Sequence, residues 1–337
     1  MYKNLFESKY KFLDVIEKDG FFGLTNLRTL ILVNNHIQEL NKDMFNGLEK
    51  LVTLDLRDNY LKKNRKIHFL GCFNGLVNLK RINLANQFDV NRITIENDVF
   101  DSCPNIECLN LSLQKFDHLD GLRLNYADNL KVLGLYGENV IEIKNFIKQF
   151  KNLECLCIQI NKSDENLDNI CLSNLNMISL RCFKFFPKLG KNLKNLKILD
   201  IEISSEIFDS SFFDECENLN YLSILFLYIE SLEKLNETHL KKLKNLKCLK
   251  LQVFEYKAKI FDHIISVFDT KQVFCKQLFD GKNFEHKFVE VDHFKYYILY
   301  HEFKVCDSSE VYLERILEKS SANIDVLMNR FEIDFIE

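Results

Sequence analysis

The sequence predicts an α/β solenoid with about ten parallel inner strands, and three observations lead to this fold class. The pattern apolar-x-x-apolar-x-apolar begins at ten places, at intervals of 21 to 28 residues. An asparagine stands immediately before nine of the ten starts. Only 10 Gly and 2 Pro occur in 337 residues, so no flexible or proline-rich linker interrupts the series. Self-similarity at such a period indicates stacked units that share one core.

The clearest repeats are "LRTLILVNNHI" (27–37) and, 24 residues later, "LVTLDLRDNYL" (51–61), which both follow L-x-x-L-x-L-x-x-N-x-L. We number the places of each repeat from its first apolar residue. Side chains alternate along a strand, so places four and six face the core, while places three and five face the inner side. We count places seven and eight, at the end of the strand, with this inner face. The other starts are Leu79, Ile106, Leu130, Leu153, Leu175, Leu196, Leu219 and Leu246. We predict that the core includes Leu54, Leu56, Leu133, Leu135, Leu156 and Ile158.

This spacing resembles the leucine-rich repeat family over roughly residues 13–254. A phenylalanine six residues before a start (Phe21, Phe45, Phe73, Phe100, Phe213) is similar to the typical, Phe-spine subclass. The resemblance implies a horseshoe with its strands on the concave side. The ninth-place asparagine that would bond neighbouring turns occurs only as Asn35, Asn59 and Asn161. It is replaced by Gln87, Gln114, Glu138, Phe183, Ser204, Leu227 and Phe254, so we expect a broken polar ladder and less regular later coils.

Three regions follow from the extent of the repeat. Residues 1–26 are predicted to form an N-terminal cap and half repeat whose strand is missing from the pattern, so that residues 1–12 form a cap or the chain is a piece of a longer array. Residues 27–254 form the array, and residues 255–337 a C-terminal α/β cap or small appended domain. In this last region we predict helices at 258–268 and 308–320 and a strand-rich stretch at 287–305.

The inner face suggests a protein-binding surface. Its early repeats carry a mixed-charge patch, and its later repeats carry apolar and aromatic residues. Such clusters, when exposed, usually mark partner sites. The alternative is that the C-terminal segment folds back over this face. The early patch comprises Asp55, Arg57, Asp58, Arg81, Asn83 and Asn86; the later residues are Val132, Tyr136, Cys155, Cys157, Met177, Ile198, Tyr221, Leu225 and Phe226. We predict that a protein partner contacts Tyr136, Met177, Ile198, Tyr221, Leu225 and Phe226, with Arg57 and Arg81 tuning association rate and salt dependence.

The eleven cysteines are predicted to be reduced thiols. No C-x-x-C motif occurs, and two inner-face sulfurs, Cys155 and Cys157, cannot hold zinc alone. The first twenty residues carry charges throughout, and the longest apolar run, "YLSILFLYI", is too short to span a membrane. We therefore expect a cytoplasmic scaffold, adaptor or recognition protein. The alternative implied by the resemblance is an extracellular receptor-type ectodomain, or a fragment of a longer receptor, although such ectodomains usually have cysteine-rich caps.

Other function classes have little support in the sequence. There is no H-E-x-x-H, no glycine-rich phosphate loop and no G-x-S-x-G. The pairs Asp292–His293 and His301–Glu302 are strand neighbours whose side chains point apart. We predict no enzyme activity, no cofactor and no metal. The alternative of another class is an enzyme activity in the C-terminal segment. A net charge of −4 and one short basic run (61–66) do not favour nucleic acid.

Overall fold

The computed structural model describes residues 5–7, 12–61, 71–85, 87, 99–112, 119, 123–137, 140–160, 172–183, 195–203, 218–226, 242, 245, 248–253, 271–279, 282–291 and 294–300. The description covers the backbone alone at 5–7, 137, 160, 181–183, 203, 225–226 and in the strands from 248 onward. The chain falls into two compact units that divide between Gln159 and Ile160. Each unit is described by itself.

The first unit is built from short parallel strands. Within it a strand begins two residues after each predicted start, and each strand from β1 to β6 pairs in parallel with the next in the chain. This pairing confirms a parallel-strand solenoid, since successive coils contribute adjacent strands. The strands are β1 (Leu5–Glu7), β2 (Thr29–Ile31), β3 (Thr53–Asp55), β4 (Arg81–Asn83), β5 (Cys108–Leu111), β6 (Val132–Gly137) and β7 (Cys155–Ile160), at whose end the units divide.

The second unit continues the two-residue offset between start and strand. Its first four strands pair in parallel in chain order, and β14 adds in parallel to β11. Strand β13 is antiparallel to both β12 and β14. The stretch predicted to be strand-rich contains β14 and part of β13, whereas both predicted C-terminal helices lie outside the described residues. The strands are β8 (Met177–Phe183), β9 (Ile198–Ile203), β10 (Tyr221–Phe226), β11 (Cys248–Val253), β12 (Lys271–Phe279), β13 (Lys282–Val291) and β14 (Phe294–Tyr300).

The N-terminal region has the strand that the sequence pattern lacks. Strand β1 pairs with β2 in the register Leu5↔Thr29, one 24-residue repeat apart. The half repeat thus has a strand that its sequence pattern does not indicate. Strand pairing uses backbone groups, so β1 can add to β2 even though Lys3 and Ser8 replace two leucines of the pattern.

The core matches the predicted alternation. All six residues predicted at core places, from Leu54 to Ile158, have no exposed surface. The Phe spine is also present: Phe21, Phe45, Phe73 and Phe100 stack in sequence, with ring centroids 6.0, 6.3 and 5.9 Å apart. Phe213 lies outside the described residues. These four rings form a continuous apolar column along the return side of the first unit.

One helix was not predicted. Helix α1 (Val140–Ile147) lies in the return between β6 and β7 and buries one face of its surface. Its apolar residues have the three-to-four-residue spacing of an amphipathic helix, so the signal was present in the sequence. The buried residues are Val140, Ile143, Phe146 and Ile147.

The ninth-place ladder extends one coil further than expected. Asn59 donates through Nδ2 to the carbonyls of Leu32 (2.8 Å) and Leu56 (2.9 Å), and its Oδ1 accepts from the backbone N–H of Ile37. Gln87 makes the same set of bonds, donating through Nε2 to the carbonyls of Leu56 and Leu84 and accepting from Leu61 N–H. The expected break at Gln87 is therefore wrong, because a longer amide can supply the same donor and acceptor. The other substituted ninth places lie outside the described side chains.

A second ladder explains the asparagine before each start. Five of these asparagines donate through Nδ2 to a backbone carbonyl 22 to 29 residues earlier, over distances of 2.6 to 2.9 Å. Lys50, the exception to the pattern, still reaches the preceding repeat, since its Nζ lies 2.8 Å from Asn26 Oδ1. We call these contacts the strand-start ladder. Its donors are Asn78, Asn105, Asn129, Asn152 and Asn195.

Candidate partner-binding face

The polar end of the inner face is centred on a buried carboxylate. Asp55, at the fifth place of its repeat, has no exposed surface, and its Oδ1 accepts a hydrogen bond from Arg57 N–H. Arg57 Nε lies 3.1 Å from Asp55 Oδ2 in an ion pair that is not aligned as a hydrogen bond. Burial raises the pKa of Asp55 to about 6, although the positive charge of Arg57 opposes the rise. The ionised carboxylate is thus held at a site that disfavours its charge.

The next strand places a second arginine on the same face. Arg81, at the third place, is half-buried, and its Nε donates to the hydroxyl of the buried Thr53, 2.9 Å away. The side chain of Arg57, the other arginine predicted for the site, is 26% exposed. Both guanidinium groups are therefore anchored through one nitrogen while still reaching the surface.

A glycine shapes the following part of the face. A Cβ on Gly134 would come 2.4 Å from Asn110 Oδ1 and 2.7 Å from Ser112 Oγ, so the side chains of the preceding strand occupy the place of the missing side chain. Asn110 and Ser112 are half-buried, and Ser112 Oγ has no hydrogen-bond partner in the described part of the chain.

The apolar part of the predicted site is not exposed. Tyr136 is 8% exposed, Met177 5%, Ile198 0% and Tyr221 2%, so the expectation of an exposed cluster differs from the structure. Alternation along a strand predicts which face a side chain occupies, but not whether that face is covered. The side chains of Leu225 and Phe226 lie outside the described part of the structure, as does Asn86. Partner contact by these residues stays a prediction.

The cysteines also show that the face a side chain occupies does not determine its exposure. Leu156 is fully buried, which supports the predicted register, but Cys155 is also fully buried and only Cys157 is half-buried. Cys155 was expected on an open surface, and that expectation is wrong. On the return side, burial raises the pKa of Cys72 well above its usual range and that of Cys103 to about 12. Such thiols are poor nucleophiles because their thiolate forms are disfavoured.

An aromatic column at the tenth place was not predicted. Phe12 stacks on His36 with ring centroids 4.2 Å apart, and His36 meets Tyr60 edge-on at 5.3 Å. The signal was available, because the three residues stand 24 residues apart in the sequence. His36 Nδ1 also lies 3.5 Å from a carboxylate oxygen of Asp14. Phe12 is 60% exposed, so this column reaches the surface at the N-terminal end.

The described residues contain no group of three or more His, Cys, Asp and Glu side chains placed to hold a metal ion. Among the same residues, none of the helices has the length and apolar character that a membrane crossing requires.

Several solved structures are similar to this chain at low sequence identity. The chain matches the mouse RP105/MD-1 complex at 18% identity with a TM-score of 0.50, covering 74% of this chain and 47% of that one. The leucine-rich repeat domain of APL1B matches at 17% identity with a TM-score of 0.38, covering 74% of this chain and 65% of that one. The Drosophila Toll–Spatzle complex matches at 16% identity with a TM-score of 0.46, covering 72% and 37%. The chain thus spans less than two thirds of each of these proteins.

The family comparison agrees with the repeat. No curated protein matches the chain. A family model described as leucine rich repeat matches residues 9–61 and 25–87, which include β2, β3 and β4. The match includes three of the four stacked rings of the Phe spine (Phe21, Phe45 and Phe73) and the ninth-place ladder. Residues 9–87 of the chain therefore match the leucine-rich repeat family.

Proposed function

We propose that this chain is a protein-recognition module that binds a protein partner on the inner face of its repeats, as a scaffold, adaptor or recognition protein. The observation that carries the proposal is the anchored polar set around Asp55, Arg57 and Arg81. A core built from leucines does not need a buried carboxylate with a raised pKa, and such perturbed groups cluster at functional sites. The fold alone does not identify a partner.

The proposal includes a finer architecture. The constant two-residue offset between start and strand supports one continuous array of about ten inner strands in a horseshoe, closed by residues 255–337 as a C-terminal cap. Tyr136, Met177, Ile198, Tyr221, Leu225 and Phe226 remain proposed contacts. The burial of Tyr221 means that its contact with a partner requires the face to open. The half-buried arginines require no such change.

The compartment also belongs to this proposal. The solved structures of similar fold are extracellular receptor ectodomains, which favours the alternative of an extracellular ectodomain over the cytoplasmic prediction. The mouse RP105 chain is in complex with MD-1, an example of a protein partner on this fold. The five cysteines with described burial are free thiols, an arrangement compatible with either compartment.

Site-specific photo-crosslinking tests the proposed face. A photoreactive phenylalanine analogue would replace the half-buried inner-face residue Val33, and in a matched control it would replace Val77, which is 49% exposed and precedes a strand. Proximity labelling in the source organism first identifies partners. We expect the partner to crosslink at position 33 and not at position 77. Crosslinking at position 77 alone, or at neither position, would contradict the proposal.

A further inference from the structure

The fifth-place side chains of three successive strands form the same turn. Oδ1 of Asp55, Asn83 and Asn110 accepts a hydrogen bond from the backbone N–H two residues later, at 3.2, 3.1 and 3.0 Å. Because each of these N–H groups requires an acceptor, the amide oxygens of the two asparagines are used within the chain. Their Nδ2 groups are left as donors. Asn83 is buried, whereas the half-buried Asn110 presents its donor at the face.

The Nε atoms of the two arginines also have contacts within the chain. Arg81 Nε donates to Thr53 Oγ1, and Arg57 Nε faces Asp55 Oδ2. In the described part of the chain Arg81 forms no ion pair. A guanidinium has five N–H donors in a planar fork, so occupying Nε leaves the terminal nitrogens available in a restrained orientation.

The spacing of these three donors suits an extended chain. From ~3.3 Å per residue along a strand and ~4.8 Å between strands, Arg81 lies ~8 Å from Asn110 and ~14 Å from Arg57. About five residues of an extended segment would span the set. Asp55 has no exposed surface, so its carboxylate cannot meet a partner. Asp58 follows Arg57 in the sequence and limits the net positive charge of the donor set. Matched hydrogen bonds therefore matter more here than long-range attraction.

We propose that the donor set Arg57, Arg81 and Asn110 recognises carboxylates on an extended acidic segment of the protein partner. This inference rests on the proposed function and narrows it to a chemical class. Arginine forks bind carboxylates through two parallel hydrogen bonds, and the amide of the half-buried Asn110 adds a neutral donor beside the two charges. A basic segment would meet donors where it needs acceptors.

Titration with three synthetic peptides tests the inference. Ten-residue peptides that alternate serine with glutamate, glutamine or lysine would be added to the full chain, with binding followed by fluorescence anisotropy. We expect the glutamate peptide to bind at least tenfold more tightly than the other two. Equal binding of the glutamate and glutamine peptides would overturn the inference, and so would tighter binding of the lysine peptide.

Substitutions locate the binding. Arg81→Gln and Asn110→Asp should each weaken the glutamate peptide at least fivefold, and Arg81→Lys should give an intermediate loss, since it keeps the charge but not the fork. Asp55 shows that an aspartate can form the turn at the fifth place, so Asn110→Asp is expected to fold, which circular dichroism checks. Lys131→Gln is the matched control, because Lys131 lies at the second place, 3.5 Å from Glu107. A loss at Lys131→Gln equal to that at Arg81→Gln would show unspecific attraction and overturn the inference.

The crosslinking assay separates this inference from the proposed function. Suppose that the partner still crosslinks at position 33 when Arg81→Gln and Asn110→Asp are present, and that the glutamate peptide does not compete. The acidic-segment inference then fails while inner-face binding stands. If no partner crosslinks at position 33 in the unsubstituted chain, both fail. Loss of crosslinking in the two variants together with peptide competition supports both.

Discussion

The strands from β2 to β5 and those from β6 to β10 follow one leucine pattern but differ on their inner face. Core leucines such as Leu54 and Leu222 have no exposed surface in either set. At the third place of the first set, Thr29 and Arg81 are half-buried while Thr53 and Cys108 are buried, whereas every described third place from Val132 to Tyr221 in the second set is buried. The repeat pattern thus determines the core face alone. The state of the opposite face depends on what packs against it, which a period in the sequence does not encode.

The largest expected effect tests whether the Phe spine stabilises the early coils. Phe45 is 1% exposed and stacks between Phe21 and Phe73. Phe45→Ala should lower the free energy of unfolding by about 3–5 kcal/mol, because it removes an aromatic ring and leaves a cavity. The matched control is Phe22→Ala, where the ring is 79% exposed and the change should stay within about 0.5 kcal/mol. Urea denaturation measures both, and equal losses would mean that the stacked rings are not a core.

A smaller effect tests the two ladders against each other. Asn59→Ala removes four hydrogen bonds and leaves buried carbonyls without their donor, so we expect a loss of about 2–3 kcal/mol in the free energy of unfolding. Asn78→Ala removes one bond of the exposed strand-start ladder and should cost about 0.5–1 kcal/mol. Asn59→Gln should recover part of the loss, as Gln87 occupies the equivalent place. No recovery by glutamine would show that the two sites differ in more than side-chain length.

The third effect concerns the polar inner face and depends on pH. The pKa of Asp55 is raised from 3.8 to about 6 in the folded chain. Folding therefore favours the protonated form, and this contribution to stability is present below about pH 4 and lost as the pH rises through about 6. Asp55→Asn keeps the turn that Asn83 and Asn110 form. We expect the free energy of unfolding of the variant to exceed that of the unsubstituted chain by about 3 kcal/mol at pH 7.

Denaturation at several pH values measures this difference. It should shrink as the pH falls towards 4 and disappear below about pH 3, where Asp55 is protonated in both the folded and the unfolded chain. A difference that stays constant from pH 4 to pH 7 would show that the ionisation of Asp55 is not its cause. A stabilised variant would also support the view that the carboxylate positions Arg57 rather than stabilising the fold.

Much of the fold could be predicted from the sequence, and the failures have physical reasons. The leucine places and the Phe spine follow from periodicity, because each burial site repeats along the chain. Strand β1 was missed because backbone pairing tolerates side chains that break the pattern. Gln87 was read as a break because the sequence shows a residue type and not the reach of its amide. The exposure of Tyr136 and Tyr221 was misjudged because burial is a property of both packing partners.

The strand-start ladder has a consequence for how the molecule could be altered. Its amides bond a carbonyl one coil away, while the number of residues between donor and acceptor varies from 22 to 29. The bond depends on the distance between the two groups in space and not on the number of residues that connects them. Return segments can therefore lengthen or shorten without moving the strands they connect. We expect that foreign peptides grafted into these returns would keep fixed positions along the array, because the strands on either side of each return stay in place.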